Sequence, residues 1–327
     1  MANKEVMTVD KVKAELEAIR KESIACLGDG EVFIRRNQEG QIRSVKASVR
    51  MAEANGEIAV IQNKAMTTGK GYYKANQIAS LSIITPQKLK LPTGETVVNP
   101  YPVIDPESGT VRKFWVKKQA VGHGPLGNLV VTSVTLLYDL NMYFIQDLLK
   151  KVKYSAQAGR ICLEAQLTEQ ERKSGIFYKI DGPLGVWADV SHKDILTAID
   201  TFVNKKQFAE RNAQTICERL AMSKHPALSH IASPQATGAE KQRVAQVTIV
   251  GYVNDFTREH LEELAGKAES QENVIEINGE KVQVVEETAE AGYEEIAIHD
   301  DDERIIQDGE IVEEYAQPGL FSEGGKF

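Results

Sequence analysis

The sequence predicts an α+β fold: an antiparallel β-sheet with packed helices, followed by a disordered acidic C-terminal tail. Three observations carry this prediction. The first half is rich in short alternating or β-branched runs, set off by Gly, Pro and Asn turn signals. Residues 142–154 and the stretch from Ser191 to Lys224 space their apolar side chains at helical intervals. Beyond Glu286, acidic residues crowd out apolar ones, a composition that buries too little surface to order a chain.

The elements follow in order. The N-terminus, with Val9, Val12, Leu16 and Ile19 on one side, reads as an amphipathic helix without the apolar core of an export signal. Residues 31–50 read as two strands around a turn at 37–40, and 57–62 as a further apolar stretch. Residues 69–74, GKGYYK, read as a basic, aromatic loop or strand start, and 78–84 as a strand or the end of a helix stopped by Pro86. Turn signals at 92–94, 99–100 and 106–109 precede an alternating strand at 111–118. The β-branched run 127–140 is the next strand. Residues 142–154 form a helix on Phe144, Leu148, Leu149 and Val152.

In the second half, 155–173 reads as a helix, Ser174-Gly175 as a hinge, 176–180 as a short strand and 181–185 as a turn. Ser191 is a good N-cap, with Asp194 at the third helical position. Asn204 is expected to divide the helical run in two. Ala209, Ala213, Ile216 and Leu220 then make the buried stripe, broadened by Phe208 and Cys217, and Pro226 ends it. Residues 235–242 read as a linker, 246–253 as a strand and 256–270 as a helix. Asn278-Gly279 lies between alternating apolar residues as a hairpin turn. The expected division is a core at 1–234, a small strand-helix-hairpin extension at 235–285 and a tail at 286–327.

An apolar fraction of 42% is enough for a real core, and no apolar run is long enough to span a bilayer. The cysteines at 26, 162 and 217 are scattered, with no CxxC pair. That argues against a disulfide framework or structural zinc and fits a reducing cytoplasm. The net charge of −8 is unevenly distributed. Residues 286–314 hold thirteen acids and one base, which leaves residues 1–285 at about +4 and residues 1–255 at about +8. A basic body with an acidic tail implies a polyanionic partner for the body.

Catalytic and cofactor patterns fail on inspection. Thr-Thr-Gly-Lys-Gly around Lys70 lacks the spacing of a phosphate-binding loop. Gly122–Gly127 fits GxGxxG in letters, but it precedes a strand, and Pro125 removes an N–H donor. No histidines stand at HExxH spacing. Asp105 and Glu107 sit in a turn, with no clustered carboxylates to hold a divalent metal. No catalytic residue, cofactor or metal ligand is predicted, and the chain is read as a non-enzyme.

What survives is cations interleaved with aromatics, the pattern that single-strand binders use to follow phosphates and stack bases. Arg112, Lys113, Trp115, Lys117 and Lys118 form one cluster, with Lys113, Trp115 and Lys117 on one strand face. Lys150, Lys151 and Lys153 end a helix; Lys70, Tyr72, Tyr73 and Lys74 make a third group. Lys205, Lys206, Arg211 and Arg219 flank the helical stripe and remain available for phosphates. Trp115, Tyr72 and Tyr73 are the stacking candidates.

The segment from Trp187 to Leu228, with DILTAIDTF and FAERNAQTICERLAMSKHPAL, resembles the end of the core in phage single-strand annealing proteins of the RecT/Redβ type. The resemblance covers about forty residues and implies a β-sheet with packed helices, ring or helical oligomers and ATP-independent annealing. Gln317-Pro318-Gly319-Leu320-Phe321 resembles the pentapeptide that binds the bacterial sliding clamp. Gln317, Leu320 and Phe321 would be its contacts. The acidic run ending in Phe327 resembles the tails of single-strand binding proteins.

The expectation is a cytoplasmic, phage- or mobile-element-encoded homo-oligomer that binds single-stranded DNA and anneals it in recombination, with no membrane attachment. Two alternatives stand beside it: a phage assembly protein that binds no nucleic acid, and a metal-dependent nuclease with a dispersed site.

Overall fold

The longest strands form where β-branched residues are densest, and they organise the rest of the molecule. A computed structural model describes residues 31–37, 40–61, 63–252, 256–270, 274–277 and 280–291. The first strands are β1 (Glu31–Asn37), β2 (Gly40–Ala52), β3 (Ile58–Ile61) and β4 (Lys64–Thr67), followed by helix α1 (Gly69–Ala79). Next come β5 (Ser82–Ile84), β6 (Lys88–Lys90), β7 (Thr96–Val98) and β8 (Tyr101–Ile104). The long hairpin β9 (Val111–His123) and β10 (Leu129–Asp139) leads into α2 (Leu140–Tyr154). After β11 (Gly159–Leu163) come α3 (Glu169–Ser174), β12 (Gly175–Asp181) and β13 (Leu184–Asp189). Helices α4 (Lys193–Gln207) and α5 (Ala209–Lys224) follow. The chain continues through β14 (Ala236–Thr237), β15 (Val244–Tyr252), α6 (Arg258–Lys267), β16 (Val274–Ile277) and β17 (Glu280–Glu290).

The fold is α+β, as expected. One sheet has the order β1-β2-β15-β14, and a second the order β16-β17-β10-β9-β5, with β8 also on β9. A third, β11-β13-β12, stands apart from two small hairpins, β3-β4 and β6-β7. The central sheet is mixed rather than purely antiparallel, because β17 runs parallel to β10. Strand β15 lies between β2 and β14, so the chain after residue 235 returns to a sheet begun near residue 31.

Helix α5 lies on β9 and β10 and brings Ala213, Ile216, Cys217 and Leu220 against Phe114, Val116, Val134 and Leu136. The expected stripe is therefore the core face. Helix α6 covers the other side near Val121, Val131 and Val282. Helices α2 and α4 pack together over β13, with the rings of Phe144 and Phe202 stacked 4.4 Å apart.

Four readings need correction. Residues 69–74 open a helix rather than a loop. Thr68 caps it by accepting from the Gly71 N–H, and Tyr72, Ala75 and Ala79 share its buried face. Gly71 permits the close approach: a Cβ there would lie 2.2 Å from the Glu57 carbonyl oxygen. Residues 155–173 are not one helix. Gly159 has φ +152, and a Cβ would meet the Trp187 carbonyl oxygen at 2.1 Å, so this stretch pairs edge-on with β13. The cap of α4 is His192, whose Nδ1 accepts from the Asp194 N–H at 3.2 Å, while the Ser191 hydroxyl donates to Asp189. The acidic segment is ordered beyond its expected limit at Glu286, since β17 runs to Glu290. The N-terminal amphipathic helix, Cys26 and the pentapeptide with Gln317, Leu320 and Phe321 lie outside the described residues.

Candidate nucleic-acid interface

Helices α4 and α5 meet without a loop. Phe208 ends one and starts the other, at φ −106 and ψ 15. The break falls four residues later than Asn204, and that places two lysines on one side of a bend and an arginine on the other. Each cation lies over an aromatic ring. The Lys205 Nζ is 4.7 Å from the Tyr143 ring centre, the Lys206 Nζ 5.0 Å from Phe202, and the Arg211 guanidinium 4.7 Å from Phe208. Lys206 also donates to the Thr110 hydroxyl at 2.8 Å, which ties the bend to the turn before β9. Such contacts contribute about 0.5–1 kcal/mol each at exposed sites and narrow the arc each charge sweeps.

Phe208 is 41% exposed and so offers an uncovered part of its surface beside Arg211. It is not part of the buried stripe. A cleft of about 450 Å³ opens next to it, bounded by Lys118, Phe208, Glu210, Arg211, Gln214 and Glu218. Cations over rings beside a half-open aromatic are suited to holding a phosphate next to a stacked base.

The β9 cluster has a different fate. Lys117 and Lys118 are only 5% and 6% exposed. Lys117 Nζ lies 3.7 Å from Glu269 and 3.5 Å from Glu286. Lys118 Nζ donates to the Thr85 hydroxyl at 2.8 Å and to the Gln214 side-chain oxygen at 3.3 Å, with Glu218 at 3.9 Å. A strand covered on both faces must satisfy its charges internally. Lys113, half-buried, pairs with Asp139 at 2.8 Å, and the same carboxylate caps α2. Arg112 is exposed, and Trp115 is partly covered between Tyr101 on β8 and Leu137 on β10. Lys117 is taken up by the fold, and Lys118, equally buried, reaches only the wall of the cleft beside Phe208.

Tyr72 must also leave the stacking set. It is 1% exposed, and burial pushes its hydroxyl pKa above the usual tyrosine range. Lys74 is committed to Glu57 at 2.6 Å and to the Arg50 carbonyl at 2.8 Å. Lys70 is partly buried in the first turn of α1, and Tyr73 is exposed. Arg219 is buried with its charge near Tyr72. This group adjoins the far half of α5, about 12 Å along the helix from Arg211. Lys150, Lys151 and Lys153 stand at the C-terminal end of α2, about 10–15 Å along the axis from Tyr143, with Lys150 3.9 Å from Asp147. Neighbouring Tyr154 is 86% exposed. Lys205, Lys206 and Arg211 lie at the bend, Lys113 pairs with the cap of α2, and the α1 and α2 groups lie further along α5 and α2.

The aromatic partners Tyr143, Phe202 and Phe208 are not among the site residues that the sequence predicts. Tyr143 and Phe202 belong to apolar helical stripes, and no local pattern sets them under lysines 62 and four residues away, respectively. Phe208 was detectable: a break placed at 208 leaves it at the corner.

Beneath the bend, α5 is chemically quiet. Burial pushes the Cys217 thiol up to about 12, with its sulfur 3.5 Å and 3.4 Å from the Val116 and Val134 carbonyl oxygens. Burial pushes His225 down to about 4; its Nε2 lies 3.3 Å from the Val130 carbonyl oxygen, and its Nδ1 accepts from the Ala227 N–H. Among the described residues, no group of three or more His, Cys, Asp or Glu is placed to hold a metal, and no helix is long and apolar enough to cross a membrane. Comparison with known proteins returned no match: no family description, curated protein or solved structure is similar to this chain.

Proposed function

We propose that this protein binds single-stranded DNA at the α4–α5 bend and anneals complementary strands without ATP. The observation that carries the reading is the gathering of Lys205, Lys206 and Arg211 over Tyr143, Phe202 and Phe208, with Phe208 half-open beside a cleft. Cations that neutralise phosphates release counterions, and an aromatic face accepts any base. A strand held by its backbone leaves its base edges free to test a second strand, while the bound cations screen repulsion between the two. Annealing in this scheme requires no bond chemistry. A homo-oligomer would extend the site along the DNA, and the pentapeptide at 317–321 would bring the protein to a sliding clamp.

The test is fluorescence anisotropy on the intact chain, using a labelled single strand and its duplex at about 50 and about 200 mM salt, with and without magnesium. Tight, salt-sensitive binding to the single strand and faster pairing of complementary strands are expected. Oligomers indifferent to DNA would favour an assembly role, and loss of intact DNA on adding magnesium would favour a nuclease.

A further inference from the structure

The chain's acidic run begins inside the described fold, and its first carboxylates are already engaged. Glu286 lies 3.5 Å from Lys117, and Glu287 pairs with Lys224 at 2.7 Å. These two side chains leave opposite faces of β17, so body lysines on both sides of the strand are matched by it. The run then continues: residues 292–314 hold ten acids and one base, Arg304.

The point where this run leaves the sheet is informative. The Ala291 N–H donates to the Leu137 carbonyl at 3.0 Å, so the chain departs alongside the end of β10. Two residues further along β10 is Asp139, paired with Lys113, and one helical turn later is Tyr143, which lies under Lys205. Lys113 is two strands from Ala291, about 10 Å. The exit therefore adjoins the basic bend, whereas the lysines at the end of α2 lie about 10–15 Å further along that helix. Ten extended residues reach about 33 Å, which more than spans the gap. A short tether also holds its charges at an effective concentration on the order of millimolar.

We propose that the acidic side chains between Glu294 and Glu314 dock on the face formed by Lys205, Lys206 and Arg211 when no nucleic acid is bound, and that a single strand must displace them. The displacement half of this proposal rests on the single-strand reading above; the docking half does not. The tail acts as a tethered competitor, which sets a threshold on affinity and favours long strands that cover several cations at once.

Docking is read without DNA. The dilute full-length chain is treated with a carbodiimide, which joins lysines to carboxylates in contact, and an isotope-labelled and unlabelled mixture separates links within a chain from links between chains. Intramolecular links from Lys205 and Lys206 to carboxylates between 294 and 314 are expected, falling several-fold as salt approaches about 0.5 M. Links spread evenly to lysines such as Lys88, Lys90 and Lys179, or no intramolecular links, would overturn docking. In parallel, a full-length variant with those ten acids changed to amides (Glu→Gln, Asp→Asn) is titrated with oligothymidylate. It is expected to bind about tenfold more tightly than the parent at low salt, with the gap closing at high salt. Equal affinity of the two chains would overturn the competitor role. Links at the bend with no DNA binding by either chain would retain docking and remove the single-strand reading instead.

Discussion

Two lysine-rich stretches of this chain read alike and end in opposite circumstances. On β9, Lys117 and Lys118 are buried and spend their charge on Glu269, Glu286, Thr85, Gln214 and Glu218. At the α4–α5 bend, Lys205, Lys206 and Arg211 lie over aromatic rings, with Phe208 half-open among them. The difference teaches that cation density in the sequence does not locate a binding face. A lysine in a central strand is drawn into the fold's own electrostatics, while the cations at the helix junction are set against aromatic rings. Aromatic support, rather than charge count, separates the two.

The largest expected effect follows at the bend. Combining Lys205→Ala, Lys206→Ala and Arg211→Ala should weaken single-strand binding about 100-fold at low salt and lower the log–log salt slope by about 2, since each phosphate contact contributes about 0.7. The melting temperature should move by only a few degrees, because each cation–ring contact is small. Anisotropy and thermal unfolding on the same samples check both halves.

The β9 stretch should behave conversely. Lys117→Ala removes the buried cation facing Glu269 and Glu286 and is expected to cost about 1 kcal/mol of stability in urea unfolding. The folded fraction should bind DNA as well as the parent. Lost affinity with intact stability would break the comparison.

A third effect is pH-dependent. The native pKa of His225 is about 4, below the usual 6.5, because the buried ring resists charge. Between these values the unfolded chain takes up a proton that the folded chain refuses. Its contribution is therefore full above about pH 6.5 and is lost as pH falls toward 4. From pH 7.5 to 5.5 the loss should be about 1 kcal/mol, and His225→Gln should flatten that part of the stability profile. The smallest effect is expected from combining Lys150→Ala, Lys151→Ala and Lys153→Ala. Away from the bend, these should change affinity less than about threefold; a slope change as large as that of the bend variant would extend the site along α2.

The sequence made some of this legible. The strands of the β9–β10 hairpin, the helix after it and the stripe on Ala213, Ile216 and Leu220 follow from local periodicity, because their buried faces repeat at the period of the element. Helix α1 was hidden because Tyr72, Ala75 and Ala79 show their pattern only across eight residues, beyond the basic, aromatic stretch 69–74. β11 was hidden because its partner strand decides its conformation. At the site, the cations of the bend were visible, but their rings were not. Lys206 meets Phe202 within one helix, whereas Lys205 meets Tyr143 only through the packing of α2 against α4. The buried state of Lys117 was equally invisible, since Glu269 and Glu286 come from 150 or more residues downstream.

The most direct measurement is photocrosslinking of the intact chain to a single strand carrying iodouracil, followed by identification of the attached peptide. The account predicts that the base attaches at or beside Phe208, in the peptide that also carries Arg211. Attachment confined to other regions, such as α1 or the outer face of the β11–β13 sheet, would contradict it.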